Sequence, residues 1–136
     1  MSGIDTNQLR HSLGDFYAKL AGATIPGAFE ARTSGAAAIQ VDLSIYETKL
    51  TTGGTAGTES VTLGDGAGVT VGHRKLVTLK TRTNAADVVS LDHANLANKS
   101  GVQATNVDLD AAGEFCLVEW NGSKWQIVHA NATVAP

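Results

Sequence analysis

The chain reads as mainly β: an antiparallel β-sandwich or small barrel of about seven short strands, preceded by an N-terminal amphipathic helix and an extended arm. Three observations carry that reading. Two runs rich in β-branched and aromatic residues, within residues 114–129, flank Asn121-Gly122, a dipeptide that tolerates the positive φ of hairpin turns. Residues 39–50 alternate apolar and polar side chains, the period of a half-buried strand. Turn signals rich in glycine, threonine and asparagine separate further short apolar runs at near-regular spacing.

Taken in order, residues 5–20 place Leu9, Leu13, Phe16, Tyr17 and Leu20 on one helical stripe, with Asp5 and Gln8 resembling a capping box and Gly22 a stop. Gly14 inside that helix costs about 1 kcal/mol relative to alanine, so the helix has to dock, either on its own sheet or on a neighbouring subunit. Residues 21–38 read as an extended arm, with Ile25-Pro26-Gly27 as a turn and Phe29 as its one large anchor. The division is therefore residues 1–38, helix and arm, and residues 39–136, β-domain.

In that domain Ile39, Val41, Leu43 and Ile45 are expected inward, with Gln40, Asp42, Ser44 and Tyr46 outward. Strands follow at 58–63, 72–82 with Val77, Leu79 and Thr81 on one face, 86–91 and 104–109, with a loop at 94–101. The closing hairpin puts Cys116, Val118 and Trp120 on one face of its first strand. Trp125, Ile127 and His129 share a face of the second. Residues 131–136 are small and polar, a tail expected to fray unless a partner holds it.

Composition excludes several functions. Ten Lys plus Arg against thirteen Asp plus Glu give a net charge of -3 without a basic block, and aromatics are only 5% of residues. Neither a phosphate-binding stripe nor a base-stacking surface is present, so no direct nucleic-acid contact is expected. The single Cys116 rules out a disulfide framework within the chain and a multi-cysteine zinc site, and its mid-strand place reads as buried packing. The start lacks a basic and apolar leader, and no apolar run approaches a membrane span, so synthesis in the cytoplasm and no membrane partner are expected.

No catalytic constellation emerges either. Gly64 to Gly68 is followed by strand-like sequence rather than by the helix that a phosphate-cradling loop requires. His11, His73, His93 and His129 lack metal-site spacing, and Asp108, Asp110 and Glu114 lack the oxygen-rich loop of a calcium site. Ser34 and Ser100 precede glycine but lack a nucleophile-elbow frame. The expectation is a non-enzyme without cofactor or metal.

One wider pattern joins these pieces. It runs through Lys49-Leu-Thr-Thr52, Glu59-Ser-Val-Thr-Leu-Gly-Asp-Gly66, Gly72-His-Arg-Lys-Leu-Val-Thr-Leu-Lys80 and Asp87-Val-Val-Ser-Leu91, then Ala111-Ala-Gly-Glu114 and Leu117-Val-Glu-Trp-Asn-Gly-Ser-Lys-Trp-Gln-Ile-Val128. This resembles a β-module of tailed-bacteriophage virion proteins, found among head decoration (cement) proteins, head fibres and tail-fibre tips. The hairpin after the Ala-Gly-Glu turn is its most specific piece.

The resemblance implies a structural virion protein, made in the host cytoplasm and placed on the outer capsid surface. There it would bind the major capsid protein as a homotrimer and bridge capsomers for head stabilisation. It brings no catalytic residues. Residues 1–38 fall outside the resemblance, and the candidates for capsid or subunit contact are Leu9, Leu13, Phe16, Tyr17, Leu20, Ile25 and Phe29. The alternative is a head- or tail-fibre module binding a host receptor or glycan, with outward Tyr46 as its main candidate.

Overall fold

Short apolar runs separated by glycine become strands in the computed structural model, which describes residues 29–35, 37–54, 56–64 and 68–136. They are β1 (Phe29–Thr33), β2 (Ile39–Gln40), β3 (Glu47–Thr51), β4 (Thr58–Thr62), β5 (Arg74–Thr81) and β6 (Val88–Asp92). Then follow β7 (Leu96–Ala97), β8 (Asn106–Leu109), β9 (Phe115–Trp120), β10 (Trp125–Ala130) and β11 (Thr133–Ala135). The mainly-β expectation holds among the described residues. The helix expected over 5–20 lies outside them.

The strands form two mixed sheets. The first has the order β1-β3-β5-β9-β10-β7, the second β11-β8-β6-β4-β2. One hydrophobic cluster draws on both: Leu50, Val77, Leu79, Cys116, Val118 and Trp125 from the first sheet meet Val61, Val89, Leu91, Val107 and Leu109 from the second. Alternation explains the choice, since Cys116, Val118 and Trp120 are buried while Phe115, Leu117 and Glu119 are only half-buried.

Strand direction departs from expectation. Pairings β1–β3, β3–β5, β2–β4, β4–β6 and β7–β10 are parallel, and only β5–β9, β9–β10, β6–β8 and β8–β11 are antiparallel. The reason lies in the short loops. From β1 to β8 the chain changes sheet after each strand, so a short loop joins the two sheets rather than two neighbours in one sheet. Returning in the same direction, β3 and β5 stack parallel on β1 and β3 in the first sheet, and β4 and β6 on β2 and β4 in the second. Phe29, Glu47 and Leu76 therefore align across the first sheet, and Ile39, Val61 and Leu91 across the second. Unequal steps between these partners hide the stacking from a search for a fixed sequence period.

Four local readings change with it. The alternating stretch 39–50 is two strands in different sheets, β2 and β3, joined by a corner at 41–46. Phe29–Thr33, inside the stretch read as an arm, is edge strand β1 of the first sheet. Leu96–Ala97, inside the stretch read as a loop, pairs with β10 as β7. The tail is also ordered: β11 pairs with β8, and the Thr105 hydroxyl donates to the Pro136 carbonyl at 2.7 Å.

The hairpin forms as expected, with Trp120 opposite Trp125 and their rings 5.3 Å apart. A four-residue loop closes it. Gly122 takes φ 100°, and Asn121 Oδ1 accepts from the Ser123 and Lys124 N–H groups. A bulge between Ile127 and His129 then shifts the register, placing exposed His129 opposite Leu117 and its ring 5.3 Å from Phe115. His129 thus leaves the face it was expected to share with Trp125 and Ile127.

Candidate functional site

Lys75 stands in β5 at the same inward parity as Val77 and Leu79, and its side chain has no solvent exposure. An ammonium so placed needs acceptors. Its Nζ donates to the carbonyls of Asp42 at 2.7 Å and Ile45 at 2.6 Å, and Glu30 Oε1 lies 3.8 Å away. Those carbonyls belong to the corner between β2 and β3. His73 Nε2 donates to the Leu43 carbonyl between them at 2.7 Å, while Asp42 Oδ1 accepts from the Ser44 N–H and hydroxyl. Glu30, from β1, also accepts from the Asp42 N–H and the Thr48 hydroxyl.

The electrostatics follow from this packing. Burial pushes the Lys75 amine down to about 8, and the Glu30 carboxylate is the largest of the opposing influences. The Ser44 hydroxyl and N–H hold the Asp42 carboxyl below its ordinary value. A lysine with a lowered value is a candidate nucleophile or base when it faces a cleft. Lys75 instead spends its donors on backbone carbonyls, and its chemistry is that of a clamp joining β1, the 41–46 corner and β5.

A second polar cluster lines the opposite ends of these strands. Ser34, which follows β1, donates its hydroxyl to Glu59 of β4, and that carboxylate also accepts from the Gly53 N–H at 3.1 Å. One turn further along, the Thr52 hydroxyl donates to Asp87 Oδ2 at 2.5 Å, joined there by the Asn84 N–H at 3.1 Å. Ser34, Thr52, Glu59 and Asp87 are all buried. Among the described residues Asp87 Oδ1 is the buried side-chain oxygen without a hydrogen-bond partner. The Ser34–Glu59 pair has the residue types of a nucleophile and a base, but it is closed to solvent and braces successive turns of the winding. Gly53 is required here, because a Cβ would stand 2.4 Å from the Ser34 carbonyl oxygen.

The outer faces of the sheets contrast. Across the first sheet one row reads Phe29, Glu47, Leu76, Leu117, His129, and the next reads Ala31, Lys49, Thr78, Phe115. Phe29 is 53% exposed, with Lys49 Nζ 3.9 Å from its ring centroid, and Val128 is exposed too. The second sheet presents Ser60, Ser90, Asp108, Thr133 and Thr62, Asp92, Asn106, Ala135, bonded among themselves through Ser60 to Asp92 and Asn106 to Ser90. Large apolar side chains are thus concentrated on one outer face.

No family model matches the chain, and no curated protein matches it. The candidate site is therefore defined by geometry: the outer face of the first sheet with its edge at β1.

Of the contact residues named from sequence, Phe29 stands on that edge. Leu9, Leu13, Phe16, Tyr17, Leu20 and Ile25 lie outside the described residues. Tyr46 is half-buried. Among the described residues no group of three or more His, Cys, Asp or Glu side chains could hold a metal ion, and no helix is long and apolar enough to cross a membrane. Sequence reasoning missed the Lys75 clamp and the Glu59 and Asp87 braces. Lys75 carried a usable signal, since it stands two residues before Val77 on the buried face.

Proposed function

We propose that this chain is a bacteriophage capsid decoration protein. On this reading it binds the outside of the head as a homotrimer, through β1 and the residues before it. It contacts the major capsid protein, bridges capsomers and catalyses nothing. The two-sheet body serves as a β-sandwich platform. The observation that carries the proposal is the unequal character of the two outer faces: Phe29, Leu76, Phe115, Leu117 and Val128 on the first sheet against hydroxyls, amides and carboxylates on the second. A large exposed apolar group at a sheet edge suits a protein surface. The likeness of the Leu117 to Val128 hairpin to phage virion modules supplies the biological setting.

The mechanics follow from multivalency. Each subunit offers one modest footprint, and joining three makes the second and third contacts intramolecular, so avidity exceeds single-site affinity. A net charge of -3 suits an outer surface that gains nothing from contact with packaged DNA. The test is binding of the purified chain to heads that lack it, imaged by cryo-electron microscopy with symmetry imposed. Density at threefold or quasi-threefold positions is expected. Bare heads together with binding to host-cell envelopes would replace this reading with a receptor- or glycan-binding fibre module.

A further inference from the structure

We infer that Asn121 is a site of spontaneous deamidation in the folded protein. Asn121-Gly122 is the one Asn-Gly pair in the chain. Both residues are exposed in the loop between β9 and β10, and glycine brings no side chain to obstruct attack by its own nitrogen. The local hydrogen bonds assign a role to each reacting atom. Asn121 Oδ1 accepts from the Ser123 N–H at 3.0 Å, the Lys124 N–H at 2.8 Å and the Ser123 hydroxyl at 3.2 Å.

Three donors on one carbonyl oxygen stabilise the negative charge that develops there when a nucleophile adds to Cγ. The bond to Ser123 N–H closes a ring that contains the Gly122 nitrogen, which keeps Cγ beside that nucleophile. Among the described residues neither Gly122 N–H nor Asn121 Nδ2 makes a hydrogen bond, so nucleophile and leaving group are both unencumbered.

The reaction balances with water alone. Gly122 N gives its proton to solvent base and bonds to Asn121 Cγ; the Cγ–Nδ2 bond breaks, and Nδ2 takes up a proton and leaves as ammonia. Water then opens the succinimide at either carbonyl, giving aspartate or isoaspartate. Nothing is oxidised or reduced. The product adds a negative charge to a cavity of about 370 Å³ that Asn121 shares with Arg74, Lys99 and Glu119.

The experiment incubates the full chain at neutral and mildly alkaline pH, in buffer and in parallel in concentrated urea, and follows each asparagine by peptide mass spectrometry with isoaspartate detection. In buffer, Asn121 is expected to convert about tenfold faster than Asn84, Asn95, Asn98, Asn106 or Asn131, and no slower than in urea. Ser123→Ala, which removes one donor to Oδ1 without touching the backbone, should slow conversion about threefold in buffer and leave the urea rate alone. A folded-state rate well below the urea rate, an even spread over the other asparagines, or no effect of Ser123→Ala would each overturn the inference. Circular dichroism of Ser123→Ala confirms that the fold is retained, and a chain that unfolds is replaced by Ser123→Gly for the same comparison.

Discussion

Lys75 Nζ donates to the Ile45 carbonyl at 2.6 Å from a side chain with no solvent exposure, so a charged group in β5 fixes the corner that carries the chain from one sheet to the other. Its protonation is tied to folding. In the unfolded chain the amine has its ordinary value of 10.5, and in the folded protein about 8. Between those values the unfolded chain holds a proton that the folded one releases, so stability from this group rises with pH across that window and is level below it. Above about 8 the neutral amine still offers two N–H donors for its two carbonyls. Denaturant melts through the window should show wild type gaining on Lys75→Met as pH rises. Parallel curves would remove the titration from Lys75.

Cys116 is sealed between β5 and β10, and burial pushes its thiol up to about 12. A thiolate is the reactive form, so a disulfide reagent should leave the native protein unlabelled and react fully once it unfolds. Labelling at native pH faster than global unfolding would mean that the hairpin opens locally.

Trp125 is fully buried, and its Nε1–H donates to the Gly64 carbonyl at 3.3 Å, tying β10 to the turn after β4. Trp125→Ala should cost about 3–5 kcal/mol in urea unfolding through the cavity it leaves. Trp125→Phe keeps much of the volume but strands that carbonyl, and should cost about 1–3 kcal/mol.

Glu59→Ala removes the acceptor of the Ser34 hydroxyl and the Gly53 N–H, both in the same brace. Stranding the Gly53 N–H and leaving the Ser34 hydroxyl only the Thr51 carbonyl at 3.5 Å should cost about 2–4 kcal/mol by chemical denaturation. The double variant Ser34→Ala, Glu59→Ala should cost less than the sum of the single changes. Full additivity would mean that the two side chains do not interact.

Removing residues 1–28 leaves every described strand pairing intact and should preserve the melting transition while abolishing attachment to heads. Removing 1–38 also strips β1 and Ser34 from β3 and Glu59, and should lower the transition measurably. Equal stability of the two truncations would show that the β1–β3 pairing contributes nothing. Phe29→Ala in the full chain should weaken attachment without shifting the transition, since the ring is mostly exposed.

Which parts of this were legible in the sequence follows from the range of the interactions. The hairpin was readable because Trp120 and Trp125 pair across a loop whose residues, Asn121 and Gly122, announce the turn. Inward parity was readable at Val77, Leu79, Cys116 and Val118, since alternation is local. Strand direction was not, because the partner of Glu47 is Leu76 rather than anything near it, and no local pattern names so distant a neighbour. Asp87 and Glu59 carry no local mark of burial, because the Thr52 and Ser34 hydroxyls that bond them come from distant parts of the chain. At the candidate site Phe29 was recognised as an anchor, while the apolar row it begins became visible only once the strands were in register.

The one pairing between consecutive strands among the described residues, β9 with β10, also bears on the order in which the protein is made. A local hairpin closes quickly, whereas parallel stacking must first close long loops. Synthesis delivers the parallel pairings among β1 to β6 before the hairpin, and β9 is also the strand that joins the hairpin to β5. The emerging chain therefore carries β5, with Val77 and Leu79, to the ribosome surface before the strand that pairs with its free edge. Shielding by a chaperone during translation, followed by rapid collapse on release, is the regime this strand order favours.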